Sequence, residues 1–378
     1  MTMTEALDRR FFLGLAAAAL AFPAGLRAQA PRPHNLLVVN ALGGFYNPND
    51  RDDAAERATR LEPRVLADAR GSGLSAVNVT LGHVAGDMEP YAFTIADIAR
   101  WDARLLNHRA DLARVLNAAD LLRARREGKI GVIYGFQNSL MFGDDPGRRA
   151  ALFAGLGVRV VQLTYNPANR AGDGSMAPEN RGLTPYGREL VAALNANRLM
   201  VDLSHSGERT CLDAARLSRQ PVSINHTGCR ALCDLPRNKS DAELRLVGER
   251  GGFVGIYFMP FLSPDSVAEP DDVAAHLEHA VNVCGEDHVG IGTDGGNTSV
   301  DDMAGYRART RAEIAQRRAM GIGARGENPD TVPFVERLSG PGQYRDLIAL
   351  LEARRWPARR IEKVMGLNFL SYAREVWG

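Results

Sequence analysis

Three short stretches gather side chains that could do chemistry: Asp202-Leu203-Ser204-His205, Ser223-Ile224-Asn225-His226 and Gly292-Thr293-Asp294-Gly295. Each closes an apolar run with polar residues. Two imidazoles and a carboxylate offer the nitrogen and oxygen donors that Zn²⁺ and similar divalent ions take. A single histidine after a strand is more often a structural hydrogen-bonding residue. Two on adjacent strands, with an aspartate on a third, make a metal constellation. His83, in Leu81-Gly82-His83, is either a further ligand or a loop histidine. Asp87, Glu89 and Asp173 read as loop acids facing solvent.

The elements that must position these residues repeat along the chain. Short runs rich in β-branched residues cover residues 36–40, 75–81, 130–136, 159–163, 199–203, 221–224, 252–258 and 289–293. Between most of them lie apolar residues at helical spacing, as at 95–119, 185–196, 208–217 and 271–283. Strands alternating with helices imply parallel βαβ units, and eight such units imply an α/β fold closed as a (β/α)8 TIM-type barrel. The strands lack strict polar alternation, as expected when helices cover them. Residues 166–184, rich in Gly, Asn and Pro, and the long charged segment 301–342 follow the fourth and eighth strands. Both are therefore βα loops at the face where barrels build active sites. Residues 344–377 read as two helices.

The 378 residues are 45% hydrophobic and 24% charged, with a net charge of +1. That balance suits a soluble globular chain and provides no electrostatic case for a nucleic-acid partner. The four cysteines, Cys211, Cys229, Cys233 and Cys284, read as buried thiols. Cys229 and Cys233 are close enough in sequence for one disulfide, but a lone Cys-x3-Cys is a weak metal signal.

Residues 1–30 stand apart from the fold. Asp8-Arg9-Arg10-Phe11-Phe12-Leu13 sets an arginine pair before an alanine-rich apolar run, and Ala28-Gln29-Ala30 supplies small residues for cleavage. This is the pattern of a twin-arginine-type signal peptide, too short to span a bilayer. The expectation is a single barrel domain over residues 31–378, exported to the periplasm and without a membrane anchor after cleavage.

Several motifs together resemble the membrane (renal) dipeptidase family. They include Leu183-Thr184-Pro185-Tyr186-Gly187-Arg188-Glu189-Leu190, Val201-Asp202-Leu203-Ser204-His205-Ser206 and His226-Thr227. Arg230-Ala231-Leu232-Cys233-Asp234-Leu235-Pro236-Arg237-Asn238, Val289-Gly290-Ile291-Gly292-Thr293-Asp294 and Gly366-Leu367-Asn368-Phe369-Leu370 continue the match, in order, over nearly the whole chain after residue 30. The resemblance implies a (β/α)8 barrel that hydrolyses dipeptides at a two-zinc site, and a homodimer. It implies that His205 and His226 are metal ligands and that Asp294 is a ligand that also handles protons. It implies that Arg237 grips the substrate's terminal carboxylate, a task a planar guanidinium suits.

Half of the implied ligand set is changed. Where the family reads Asp-Gly-His-Asn-Asp, this chain reads Asn40-Ala41-Leu42-Gly43-Gly44, so Leu42 and Gly44 occupy ligand positions without a donor side chain. Where the family reads Gly-Val-Glu-Gly, this chain reads Gly135-Phe136-Gln137-Asn138. Gln137, a weak neutral donor, thus replaces the bridging glutamate. Tyr165 stands where some members place an active-site histidine. The expected cofactor is one zinc ion rather than two, or none. Three readings follow: a divergent metallohydrolase of a dipeptide or similar amide, the same pocket with non-hydrolytic chemistry on a peptide-like metabolite, or a binding protein without turnover.

Overall fold

The computed structural model describes residues 36–50, 59–319 and 325–378. The expected signal segment lies outside them. Nine parallel strands run β1 (Val39–Gly43), β2 (Ala76–Thr80), β3 (Leu112–Arg114), β4 (Ile130–Phe136), β5 (Val158–Gln162), β6 (Met200–Asp202), β7 (Ser223–Thr227), β8 (Phe253–Ile256) and β9 (Val289–Ile291). β2 pairs directly with β4, and β9 returns to β1 through Asn40 and Ile291, so eight strands close a barrel. β3 is the extra one. It pairs with residues 130–132 of β4, whereas β5 pairs with residues 134–136.

The structure thereby corrects the continuous helix expected over residues 95–119. A helix, α2 (Pro90–Asn107), ends before β3, and α3 (Ala118–Arg126) starts afresh after it. The break has a local cause. Asn117 caps α3, its side chain accepting the Asp120 amide, which satisfies an amide left open at a helix start. Of the acids expected in solvent, Asp87 and Glu89 are exposed and Asp173 is not. Glu89 caps α2 by accepting the Tyr91 and Ala92 amides. Asp173 is buried and holds the Arg181 guanidinium at 2.8 Å.

The remaining helices are α1 (Pro63–Gly71), α4 (Pro146–Gly155), α5 (Pro185–Ala196), α6 (Glu208–Leu217), α7 (Asp241–Glu249), α8 (Pro270–Cys284), α9 (Met303–Ala319), α10 (Gln343–Ala353), α11 (Ala358–Glu362) and α12 (Asn368–Trp377). α9 occupies the segment expected as a long loop. The expected second C-terminal helix is α11, a π-helical turn (Lys363–Leu367) and α12. Strand side chains such as Val132, Val161, Val201 and Val254 are fully buried, which is why these strands carry no polar alternation. All four cysteines are buried and unpaired. No helix among the described residues is long and apolar enough to cross a membrane.

Candidate active site

His205 lies just past β6 and His226 near the end of β7, and the barrel brings their rings together. The two Nε2 atoms are 3.0 Å apart. Asn166, in the loop after β5, meets His205 Nδ1 with its side-chain oxygen at 2.7 Å. The ring therefore donates from Nδ1 and turns its Nε2 lone pair toward His226. Tyr165 stacks on the other face of His205, with ring centroids 4.3 Å apart. Gly174 makes this loop path feasible, because a Cβ there would meet the Tyr165 and Asn166 carbonyl oxygens at 2.1 and 2.4 Å.

Burial pushes both histidines well below the ordinary imidazole range, helped by the Arg237 charge. Both are therefore neutral near pH 7. His226 Nδ1 is buried without a hydrogen-bond partner among the described residues. Asp202 supports the pair from beneath. Its Oδ1 accepts the Ser204 hydroxyl at 2.5 Å and the Asn225 amide at 3.1 Å, and the Ser204 hydroxyl in turn accepts the His226 amide.

Arg237 is buried beside them. Its Nη1 donates to the Ser204 carbonyl at 2.5 Å, while Nη2 has no partner among the described residues. Its loop is pinned by Lys239, buried with Glu243 at 3.2 Å and donating to the Ser206 carbonyl. Asp294 follows β9 with a left-handed backbone (φ 58°), and its amide donates to the Leu42 carbonyl at 2.9 Å. Desolvation raises its carboxyl to about 6, against the pull of Arg237 and with the help of Asp202. Burial also raises the Tyr165 hydroxyl, with Asp294 adding to the shift, so it stays protonated.

The far side of the barrel top differs. Leu42 and Gly44 line a cleft of about 1180 Å³ together with Asp294, Thr80 and Phe93. Gly43 bridges to Gly295, and Gly44 donates to the Gly295 carbonyl at 3.1 Å. The end of β1 thus stands directly beside Asp294, with Leu42 buried there. Gln137 Nε2 donates to the Thr80 hydroxyl at 2.6 Å. His83 Nε2 meets the Gly86 carbonyl at 3.2 Å, within its own loop. Among the described residues, no three His, Cys, Asp or Glu side chains form a group that could hold an ion.

Of the residues singled out in the sequence, His205, His226, Tyr165 and Arg237 converge, with Asp294 close enough to feel the Arg237 charge. Gln137 and His83 bond elsewhere. Sequence reasoning passed over Asn166 and Lys239. Asn166 was one of several loop asparagines, and the role of Lys239 depends on its burial.

Residues 63–321 match the family described as membrane dipeptidase, peptidase family M19. The chain belongs to the membrane dipeptidase family. Members of this family are metal-dependent dipeptidases, and the barrel is theirs. An amidohydrolase from Pseudomonas aeruginosa has a similar structure, with 31% identity, a TM-score of 0.74, and coverage of 91% of this chain and 97% of that one. An uncharacterised protein in the pqqA 5′ region of Klebsiella pneumoniae is 32% identical over 230 residues, 58% of this chain and 84% of its own length. Dipeptidase tcpJ of Claviceps purpurea is 28% identical over 289 residues, 75% of this chain and 59% of that protein.

Proposed function

We propose that this family member hydrolyses a dipeptide or small peptide-like amide with a free carboxylate, and that it holds one divalent ion rather than two. The observation that carries this reading is the His205–His226 contact with the unpartnered Arg237 Nη2 beside it. Two neutral imidazole nitrogens 3.0 Å apart suit neighbouring ligands of one ion. Leu42 and Gly44 have no donor side chain, and the Gln137 amide is engaged with Thr80. On that side Asp294 alone of the family's ligand positions keeps a carboxylate, too little to hold a second ion. When bound, zinc would supply Lewis-acid polarisation and acidify a water.

The chain's own groups define the rest of the reaction. Arg237 Nη2 binds the substrate carboxylate, while Nη1 stays on Ser204 and fixes the guanidinium plane. Asp294, ionised above about pH 6, takes a proton from water as its oxygen attacks the amide carbon. The C–N bond then breaks, and the same carboxyl returns the proton to the departing amine. Tyr165 and Leu42 wall the reacting centre. The twin-arginine-like start of the chain supports export to the periplasm, and the family resemblance supports a homodimer.

His205→Ala is expected to abolish release of free amino acids from a dipeptide panel. Undiminished hydrolysis by that variant would overturn the reading. A second reading, binding or non-hydrolytic chemistry at the same pocket, is favoured by Gln137 in place of a carboxylate. Saturable binding with no hydrolysis products would establish it.

A further inference from the structure

Beside Asp294 lies a small second cavity of about 30 Å³, lined by Tyr46, Phe258, Thr293, Gly295, Thr298 and Leu338 among others. Tyr46 and Tyr306 line both this cavity and the large cleft, so the two adjoin. Tyr46 forms the partition, and its hydroxyl accepts the Gly296 amide at 2.8 Å. The walls are firmly held. Gln343 Nε2 donates to the Gly296 carbonyl and to Asn297 at 2.9 Å each, and the Phe258 amide donates to the Thr293 carbonyl at 3.2 Å. Thr298, 6% exposed, lines the cavity, and its hydroxyl has no hydrogen-bond partner among the described residues.

We infer that this cavity is a substrate side-chain pocket selecting a short apolar group, of alanine to valine size. The inference rests on the hydrolase reading only for the identity of the substrate. Thr293 and Gly295, on either side of Asp294, are part of the pocket wall. Asp294 lines the adjoining cleft, so a side chain enters the cavity past Tyr46 from an amide presented to that carboxylate. The volume matches roughly two or three water molecules, room for one to three carbons and not for an aromatic ring. Phe258 and Leu338 supply apolar contact. The unpartnered Thr298 hydroxyl gives the pocket one polar point, so a short hydroxylated side chain such as that of threonine also fits.

Gly295 permits a direct test. A Cβ added there would come no closer than 3.7 Å to any atom beyond its chain neighbours, with the Tyr46 and Thr293 hydroxyl oxygens nearest, so alanine fits while taking up part of the cavity. The experiment measures calorimetric binding of two dipeptide series, Gly-X and X-Gly, with X being Gly, Ala, Val or Phe. One series is expected to gain about fourfold in affinity per buried carbon from Gly to Val and to lose it at Phe. Gly295→Ala should remove that gain and leave Gly-Gly binding in place. Binding that is flat across both series, or a gradient that survives in Gly295→Ala, overturns the pocket. A crystal soak with 2-propanol separates the pocket from the substrate reading. Alcohol between Tyr46, Phe258 and Thr298 in the wild type but absent in Gly295→Ala upholds the pocket even if no dipeptide binds. An empty cavity in the wild-type soak overturns it.

Discussion

The two sides of the barrel top are built on different principles. On the side of β6 and β7, His205 and Arg237 each have a support. His205 is held by Asn166 and Tyr165, Arg237 by Ser204, and the Arg237 loop by the buried Lys239–Glu243 pair. On the side of β1 and β4, an apolar side chain, a glycine and an engaged amide stand at the end of the strands. The difference shows that a catalytic constellation is recognised by its supports as well as by its members. The supported half brings two imidazoles and a guanidinium together, and the other half lines the cleft.

The largest expected effect comes from breaking the supported side. Lys239→Met would leave Glu243 charged and buried without its partner, at a cost of about 3–5 kcal/mol in denaturant unfolding. Next is Arg237→Ala, expected to weaken binding of a carboxylate-bearing dipeptide by about 100-fold or more, because truncating one partner of a buried charged hydrogen bond costs about 2–5 kcal/mol. The same peptide with its carboxylate amidated should bind the variant and the wild type alike.

A smaller effect follows from Asp294. Its carboxyl sits at about 6 in the folded chain against an ordinary 3.8, so the folded state binds a proton that the unfolded state has released. Its contribution to stability is therefore greatest below about pH 4 and declines as the pH rises to about 6. The loss is on the order of 2 kcal/mol, moderated by its partial contact with solvent. Asp294→Asn should flatten that part of the stability profile. Hydrolysis should show the opposite trend, rising through about pH 6 as the carboxylate forms. An unchanged profile in Asp294→Asn would assign the transition to another group.

The barrel and the catalytic candidates were legible because both leave local marks. Apolar β-branched runs ending in polar residues announce strands that open onto a site, and His205 and His226 each follow such a run. β3 was not legible. Its three residues sit within a stretch whose apolar spacing also fits a helix, and only pairing with β4 decides between them. Asp173 was misjudged because charge suggests solvent, whereas its burial against Arg181 depends on how the loop after β5 folds. The cavity beside Asp294 had no sequence signal, since its walls come from segments as distant as Tyr46 and Gln343.

The most direct test of the central claim is metal content per chain, measured by mass spectrometry on protein folded with zinc and purified without chelator. One ion per chain is expected, lost in His205→Ala, and a second ion only when Leu42→His, Gly44→Asp and Gln137→Glu are introduced together. Two ions per chain in the unaltered protein would contradict it.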